Sequence, residues 1–180
     1  MIPKIIHYCW FGKGVMPELV ERCIASWHTY MPDWEYRLWS ESSLSQTLTP
    51  QAGGEDCWLE HMPRYVQEAY AANKYAFVSN YVRLWALERE GGVYLDTDVE
   101  MLRPFDSLLN DTSFIGLEES LALLPGTCVM GCEAHYQWVK DLLRHIRQCT
   151  IHKRRRIARH DHQCAAIRRT NGTWRAAAQA

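Results

Sequence analysis

The sequence predicts an α/β layered domain. Three observations carry that expectation. Short β-branched and aromatic runs alternate along the chain with segments of helical periodicity. The 180 residues match the usual size of one domain, and a chain of that length buries most of its apolar surface without staples. Eight Trp, nine Tyr and four Phe supply bulky core and pocket material.

Each element follows in order. Residues 2 to 10 read as a buried first strand, and FGKG after them as a turn. Pro17 opens a helix in which Leu19, Val20, Cys23, Ile24 and Trp27 recur at helical spacing. Residues 35 to 39 alternate as a second strand, and SESSL reads as a cap with a short helix. Residues 49 to 62 have little periodicity and read as loop. Pro63 begins a helix ending near Ala72. Residues 74 to 89 form the strongest helical pattern, closed by Gly91 at an αL-type cap. Residues 93 to 99 read as a strand and 106 to 109 as one helical turn. Residues 113 to 117 and 127 to 132 are candidate strands, and 135 to 149 an amphipathic helix.

Charge divides the chain. Residues 1 to 150 hold 20 acidic and 12 basic side chains, a net of −8; residues 151 to 180 hold Asp161 against eight bases, a net of +7. The sequence therefore predicts a domain over 1–150 and a solvated, poorly packed basic tail over 151–180. KRRRIAR in the tail is open to a nucleic-acid or anionic-lipid reading, and His152, His160, His162 and Cys164 to a metal cluster; a solvated tail outranks both, and no nucleic-acid partner is expected. Seven scattered cysteines without CxxC spacing argue for reduced thiols and a cytoplasmic protein. The first residues are too short and too interrupted for a signal peptide. No apolar run approaches the roughly 20 residues of a membrane span, which leaves peripheral contact with the inner membrane face.

GGVYLDTDVE, residues 91 to 100, carries the chemistry. Along a strand, alternate side chains share a face, so Asp96, Asp98 and Glu100 are expected on one side, with Val93, Leu95 and Val99 on the other. Carboxylates at a strand end are satisfied by solvent, by Arg or by a hard divalent cation. Oxygen donors of this kind take Mg, Mn or Ca rather than zinc. In open α/β sheets ligands bind beyond the carboxyl ends of strands, where these acids lie. Asn80 and Arg83 share a helix face, and the glycines fold that helix back toward the acids. Arg83 then has two readings, a contact for an anionic substrate or an ion pair with Asp96 that orders the turn.

IPKIIHYCWFG, SWHTYMPDWEYRLW and KYAFVSNYVRLWALEREGGVYLDTDVEMLRPFD occur in that order. Together they resemble the DxD sugar-binding region of glycosyltransferase family 32, which includes bacterial capsule and lipopolysaccharide sugar transferases. The similarity covers roughly residues 1 to 145. It implies a GT-A-like fold, with a Rossmann-like nucleotide-sugar-binding sheet, and retaining transfer from a UDP- or GDP-sugar to a glycan or lipid-linked acceptor. It implies that Asp98 ligates Mn2+ or Mg2+, and that Asp96 contacts the ribose or donor sugar or reaches the metal through water. Arg83 would touch the donor, and Trp10 would lie against the nucleobase. The other reading of Trp10 is a core aromatic at a strand end. No residue stands out as nucleophile or base. Two departures accompany the resemblance. Asn80 stands where the family usually has an acid, and the tail reads as an out-of-frame or truncated end. The alternatives are a degenerate nucleotide-sugar binder and a basic-tailed interaction protein. Acceptor loops are expected at 49–62 and 117–127.

Overall fold

The computed structural model describes residues 1–50, 57–118, 124–151, 166–170 and 173–177. The chain runs β1 (Ile5–Cys9), α1 (Glu18–Tyr30), β2 (Glu35–Trp39), α2 (Glu41–Leu48), α3 (Arg64–Ala71), α4 (Tyr75–Glu90), β3 (Gly92–Leu95), β4 (Ser113–Glu118), β5 (Leu124–Cys132) and α5 (Gln137–Arg147). A hairpin of β6 (Ala166–Thr170) and β7 (Thr173–Ala177) follows, packed beside β4.

The main sheet has the order β2-β1-β3-β5-β4. β1 is parallel to β2 and to β3; β5 is antiparallel to both of its neighbours. The chain leaves β1 to build β2 on one side, then crosses to build β3 on the other. That reversal opens a crevice beyond the carboxyl ends of β1 and β3, the usual ligand position in a sheet of this kind.

Core residues cover both faces of the sheet. Ile6, Val93 and Leu95 pack with Trp27 of α1 and with Met31 just past its end. Tyr94, Cys9 and Trp39 pack with the apolar side chains of α3, α4 and α5. β3 is therefore buried on both faces, as central strands of α/β sheets are. The fold is α/β, with a mixed sheet between helices.

Several local expectations are corrected. The third strand stops at Leu95 instead of Val99, because the chain turns at Asp96, with the Val99 amide bonded to the Asp96 carbonyl at 3.1 Å. The shared-face reading of Asp96, Asp98 and Glu100 fails with it, and Val99 is buried beyond the strand. Gly91 does end α4, but at φ 66° and ψ −157°, which is not the αL cap. A Cβ there would meet the Ala134 nitrogen at 2.6 Å. Residues 57–61 of the expected loop form a 3-10 turn that buries Trp58. His135 is excluded from α5 by its φ of 61°, where it bonds Glu88.

His152, His160, His162, Cys164 and the KRRRIAR run lie outside the described residues, as do the centres of both expected acceptor loops, 51–56 and 119–123. Cys9, Cys23 and Cys132 are buried thiols outside any disulfide. Among the described residues, no helix is long and apolar enough to cross a membrane.

Candidate active site

Asp96 is the first residue past the carboxyl end of β3. Its amide donates to the Cys128 carbonyl at 2.8 Å, which fixes the backbone against β5. Its Oδ1 accepts from the Tyr94 hydroxyl at 2.8 Å and lies 3.0 Å from the Arg83 guanidinium. Tyr94 and Asp96 are two apart, so the strand pleat sends both toward α4. Arg83 reaches them from below, its guanidinium stacked 4.5 Å from the centre of the Tyr94 ring.

Arg83 is 6% exposed, and a cation so buried needs partners. It donates to the carbonyls of Thr127 at 2.7 Å and Ser79 at 3.3 Å besides pairing with Asp96. Burial opposes its charge, but Tyr94 and Asp96 outweigh that and hold it above the usual arginine value. Burial pushes the Tyr94 phenol well up, against the opposing pull of Arg83 and with Asp96 adding to it, so Tyr94 stays a donor toward the carboxylate. The ion-pair reading of Arg83 is thus realised in the fold.

Asp98 lies elsewhere. The Cys23 thiol of α1 is raised by burial first, then by Glu100, with Asp98 adding to it. Glu100 and Asp98 thus act on a thiol of α1, while Asp96 pairs with Arg83 of α4. The chain after Asp98 is pinned to α1. The Trp27 indole donates to the Val99 carbonyl at 2.7 Å, and the Met101 amide donates to the Ser26 hydroxyl at 2.8 Å. Together the two helices grip the turn from opposite faces of the sheet.

Trp10 lies at the same edge. Ile6 pairs with Val93 and His7 with Tyr94. That parallel register sets Tyr8 level with Leu95, the last residue of β3, so Cys9 and Trp10 follow at the end of the sheet where Asp96 leaves it. The Cys9 thiol, pushed up to about 12 by burial, feels both Arg83 and Asp96. Trp10 is half-buried, and with Lys13, Gly14, Ser40, Glu41 and Ser42 it lines a cleft of about 270 Å³. Trp10 is thus a cleft wall as well as a strand-end aromatic. Asn80 is half-buried on α4 one turn before Arg83, and Arg83 carries the bonds to Asp96.

Among the described residues, no cluster of three or more His, Cys, Asp or Glu side chains is arranged to hold a metal. The two turn carboxylates are nevertheless a hard-oxygen donor set. One or two such groups completed by substrate phosphates suit Mg2+ or Mn2+. The oxygen donors present fit a divalent cation in that manner.

The sequence reading missed Tyr94, although its position two before Asp96 was the available signal. It also missed Trp27 and Ser26, which read only as helix residues, and Glu41, which read only as part of a cap.

Residues 17–115 match the family model described as a glycosyltransferase sugar-binding region containing DXD motif. Over 117 residues the chain is 27% identical to inositol phosphoceramide mannosyltransferase 1 of Schizosaccharomyces pombe, covering 63% of this chain and 33% of that protein. It is 29% identical over 114 residues to inositol phosphoceramide mannosyltransferase 3 of the same yeast, covering 63% and 29%. It is 27% identical over 118 residues to subversion of eukaryotic traffic protein A of Legionella pneumophila, covering 58% and 18%. The chain thus spans a third or less of the length of these relatives. Its fold is similar to that of the PaToxG glycosyltransferase, with a TM-score of 0.61 at 22% identity over 79% of this chain and 58% of that one.

Proposed function

The chain belongs to the DXD-containing glycosyltransferase sugar-binding family, and from that premise we propose that it transfers a sugar from a nucleotide-sugar donor to a glycan or lipid-linked acceptor, retaining the configuration of the sugar. What supports this most is the placement of the DTD turn and the Trp10 cleft on one edge of the sheet, at its topological switch point.

In this reading the nucleotide enters the Trp10 cleft with its base against the indole. Asp98 would hold Mn2+ or Mg2+, and Asp96 would orient the ribose or donor sugar. Arg83 acts mainly through Asp96, because three of its N–H groups are already committed. Tyr94 and Arg83 hold the Asp96 carboxylate in one orientation, and such preorganisation is the main protein contribution where charge develops on a leaving group. When bound, the cation supplies a Lewis acid for the departing diphosphate. The pinning of Val99 and Met101 to α1 fixes the chain that follows Asp98, which supports that role.

A screen of nucleotide sugars for hydrolysis, with Mn present and the full chain, tests the proposal. The S. pombe relatives are mannosyltransferases, which puts mannose donors first in the screen. Mn-dependent release of one sugar is the expected result, and no turnover of any UDP- or GDP-sugar contradicts it. Asn80 favours a second reading, a binder that has lost turnover, since an amide lacks the charge to grip donor hydroxyls strongly. That binder would take up nucleotide with Mn and hydrolyse nothing.

A further inference from the structure

Glu41 is a buried carboxylate that the turnover reading leaves unused. It opens α2 and is only 5% exposed. Glutamate is almost never buried this far unless it is partnered. Its Oε1 accepts from the Gly12 amide at 2.8 Å and from the Tyr70 hydroxyl at 3.1 Å. The position at the start of a helix suits a negative charge. One carboxylate thus ties α2, α3 and the loop between β1 and α1.

That loop is held under constraint. Gly12 has φ 97°, and the next residue, Lys13, has φ 57° despite its side chain. A non-glycine residue keeps such a backbone only when its surroundings over-determine it. The Tyr75 ring presses on Gly12 so closely that a Cβ would fall 2.5 Å from its Cε2. Two residues after Gly12, the Gly14 carbonyl accepts from the Trp10 indole at 2.7 Å. Glu41 grips the loop at Gly12, and Trp10 is bonded to it at Gly14. Glu41, Trp10 and Gly14 all line the same cleft.

We propose that Glu41 is a positioning residue for nucleotide binding: its carboxylate clamps the Gly12–Gly14 loop and so fixes the indole of Trp10 and the cleft it lines. This rests on the reading of that cleft as the nucleotide site. The role is geometric. An acceptor oxygen at the right reach does the work, and the negative charge does not.

Three variants of the full chain separate geometry from charge. Glu41→Ala removes the acceptor. Glu41→Asp keeps the charge but shortens the reach to Gly12. Glu41→Gln loses the charge but keeps an acceptor oxygen at the same reach. UDP and GDP are titrated calorimetrically with Mn present, melting temperatures are recorded, and KM and kcat are measured on any hydrolysed donor. Losing one such hydrogen bond corresponds to about tenfold in affinity. Glu41→Ala and Glu41→Asp are expected to weaken nucleotide binding about tenfold and raise KM with kcat within about twofold, while Glu41→Gln stays within about threefold of wild type. If Glu41→Ala does not fold, the Asp and Gln pair carries the test alone. Wild-type affinity in Glu41→Asp overturns the clamp, as does a Glu41→Gln variant as weak as Glu41→Asp. If wild type itself binds neither nucleotide, the reading of the cleft fails and the clamp falls with it.

Discussion

Asp96 and Asp98 share a motif but not their surroundings. Asp96 is engaged by Tyr94 and Arg83 on the α4 side, so its orientation is set before any ligand arrives. Asp98 directly precedes Val99, whose carbonyl accepts from the Trp27 indole of α1. A carboxylate held in this way suits positioning, and the proposed role of Asp98 is to hold a cation completed by phosphate oxygens. Asn80 tests the donor side of this division. Restoring an acid there adds a charge-assisted acceptor one helical turn from Arg83, worth roughly twice a neutral bond. Asn80→Asp is expected to raise nucleotide-sugar hydrolysis several-fold, assayed side by side with wild type. An unchanged rate would place residue 80 outside the donor site.

At the scale of elements, the hinge between α4 and β3 decides where Asp96 points. Gly91 adopts φ 66° and ψ −157°, a region essentially restricted to glycine. A Cβ would also lie 2.6 Å from the Ala134 nitrogen and 2.8 Å from the Cys132 carbonyl, both backbone atoms that cannot swing away. Gly91→Ala is therefore expected to lose at least about 3 kcal/mol in urea unfolding, from strain and from the clash. A loss under about 1 kcal/mol would mean that the hinge tolerates a side chain, and that the glycines do not set the approach of α4 to β3. The element boundaries also explain what the sequence could and could not convey. Helices α1 and α4 were readable because their apolar spacing spans three turns or more. The end of β3 was not, because Val99 continues the strand-like alternation in sequence. The turn is imposed by long-range bonds, the Asp96 amide to Cys128 and the Trp27 indole to Val99. No local pattern encodes partners 32 and 72 residues away.

Across the whole molecule, His7 ties the centre of the sheet to that hinge. The Trp39 indole donates to its Nδ1 at 3.1 Å, so its Nε2–H donates to the Gly91 carbonyl at 2.9 Å. A proton on Nδ1 would face the Trp39 N–H, donor against donor. Burial is the largest cause that lowers His7 to about 4. The unfolded chain binds a proton near pH 6.5 and the folded chain near 4, so stability is full above about 6.5 and falls as pH drops toward 4. The whole gap is worth on the order of 3 kcal/mol. Chemical unfolding between pH 7 and 4.5 should show this slope, and His7→Gln should flatten it. An equal slope in both proteins would assign the acid sensitivity to other groups. The sequence placed His7 only as one residue of a strand, since its partners come from β2 and the hinge. By contrast, the α/β class and the DTD motif were legible, because alternation and residue type carry them locally. The pairing of Arg83 with Asp96 was legible as one of two options, and the turn that parts Asp96 from Asp98 was not.

In the proposed function, the turn carrying Asp98 holds a divalent cation for a nucleotide bound at the Trp10 cleft. Calorimetric titration of UDP and GDP into wild type and Asp98→Asn, with and without Mn, is the decisive test. Wild type should bind one of the two nucleotides in a Mn-dependent manner, and Asp98→Asn should lose that dependence and at least about tenfold in affinity. Equal Mn-dependent binding by both proteins would contradict it.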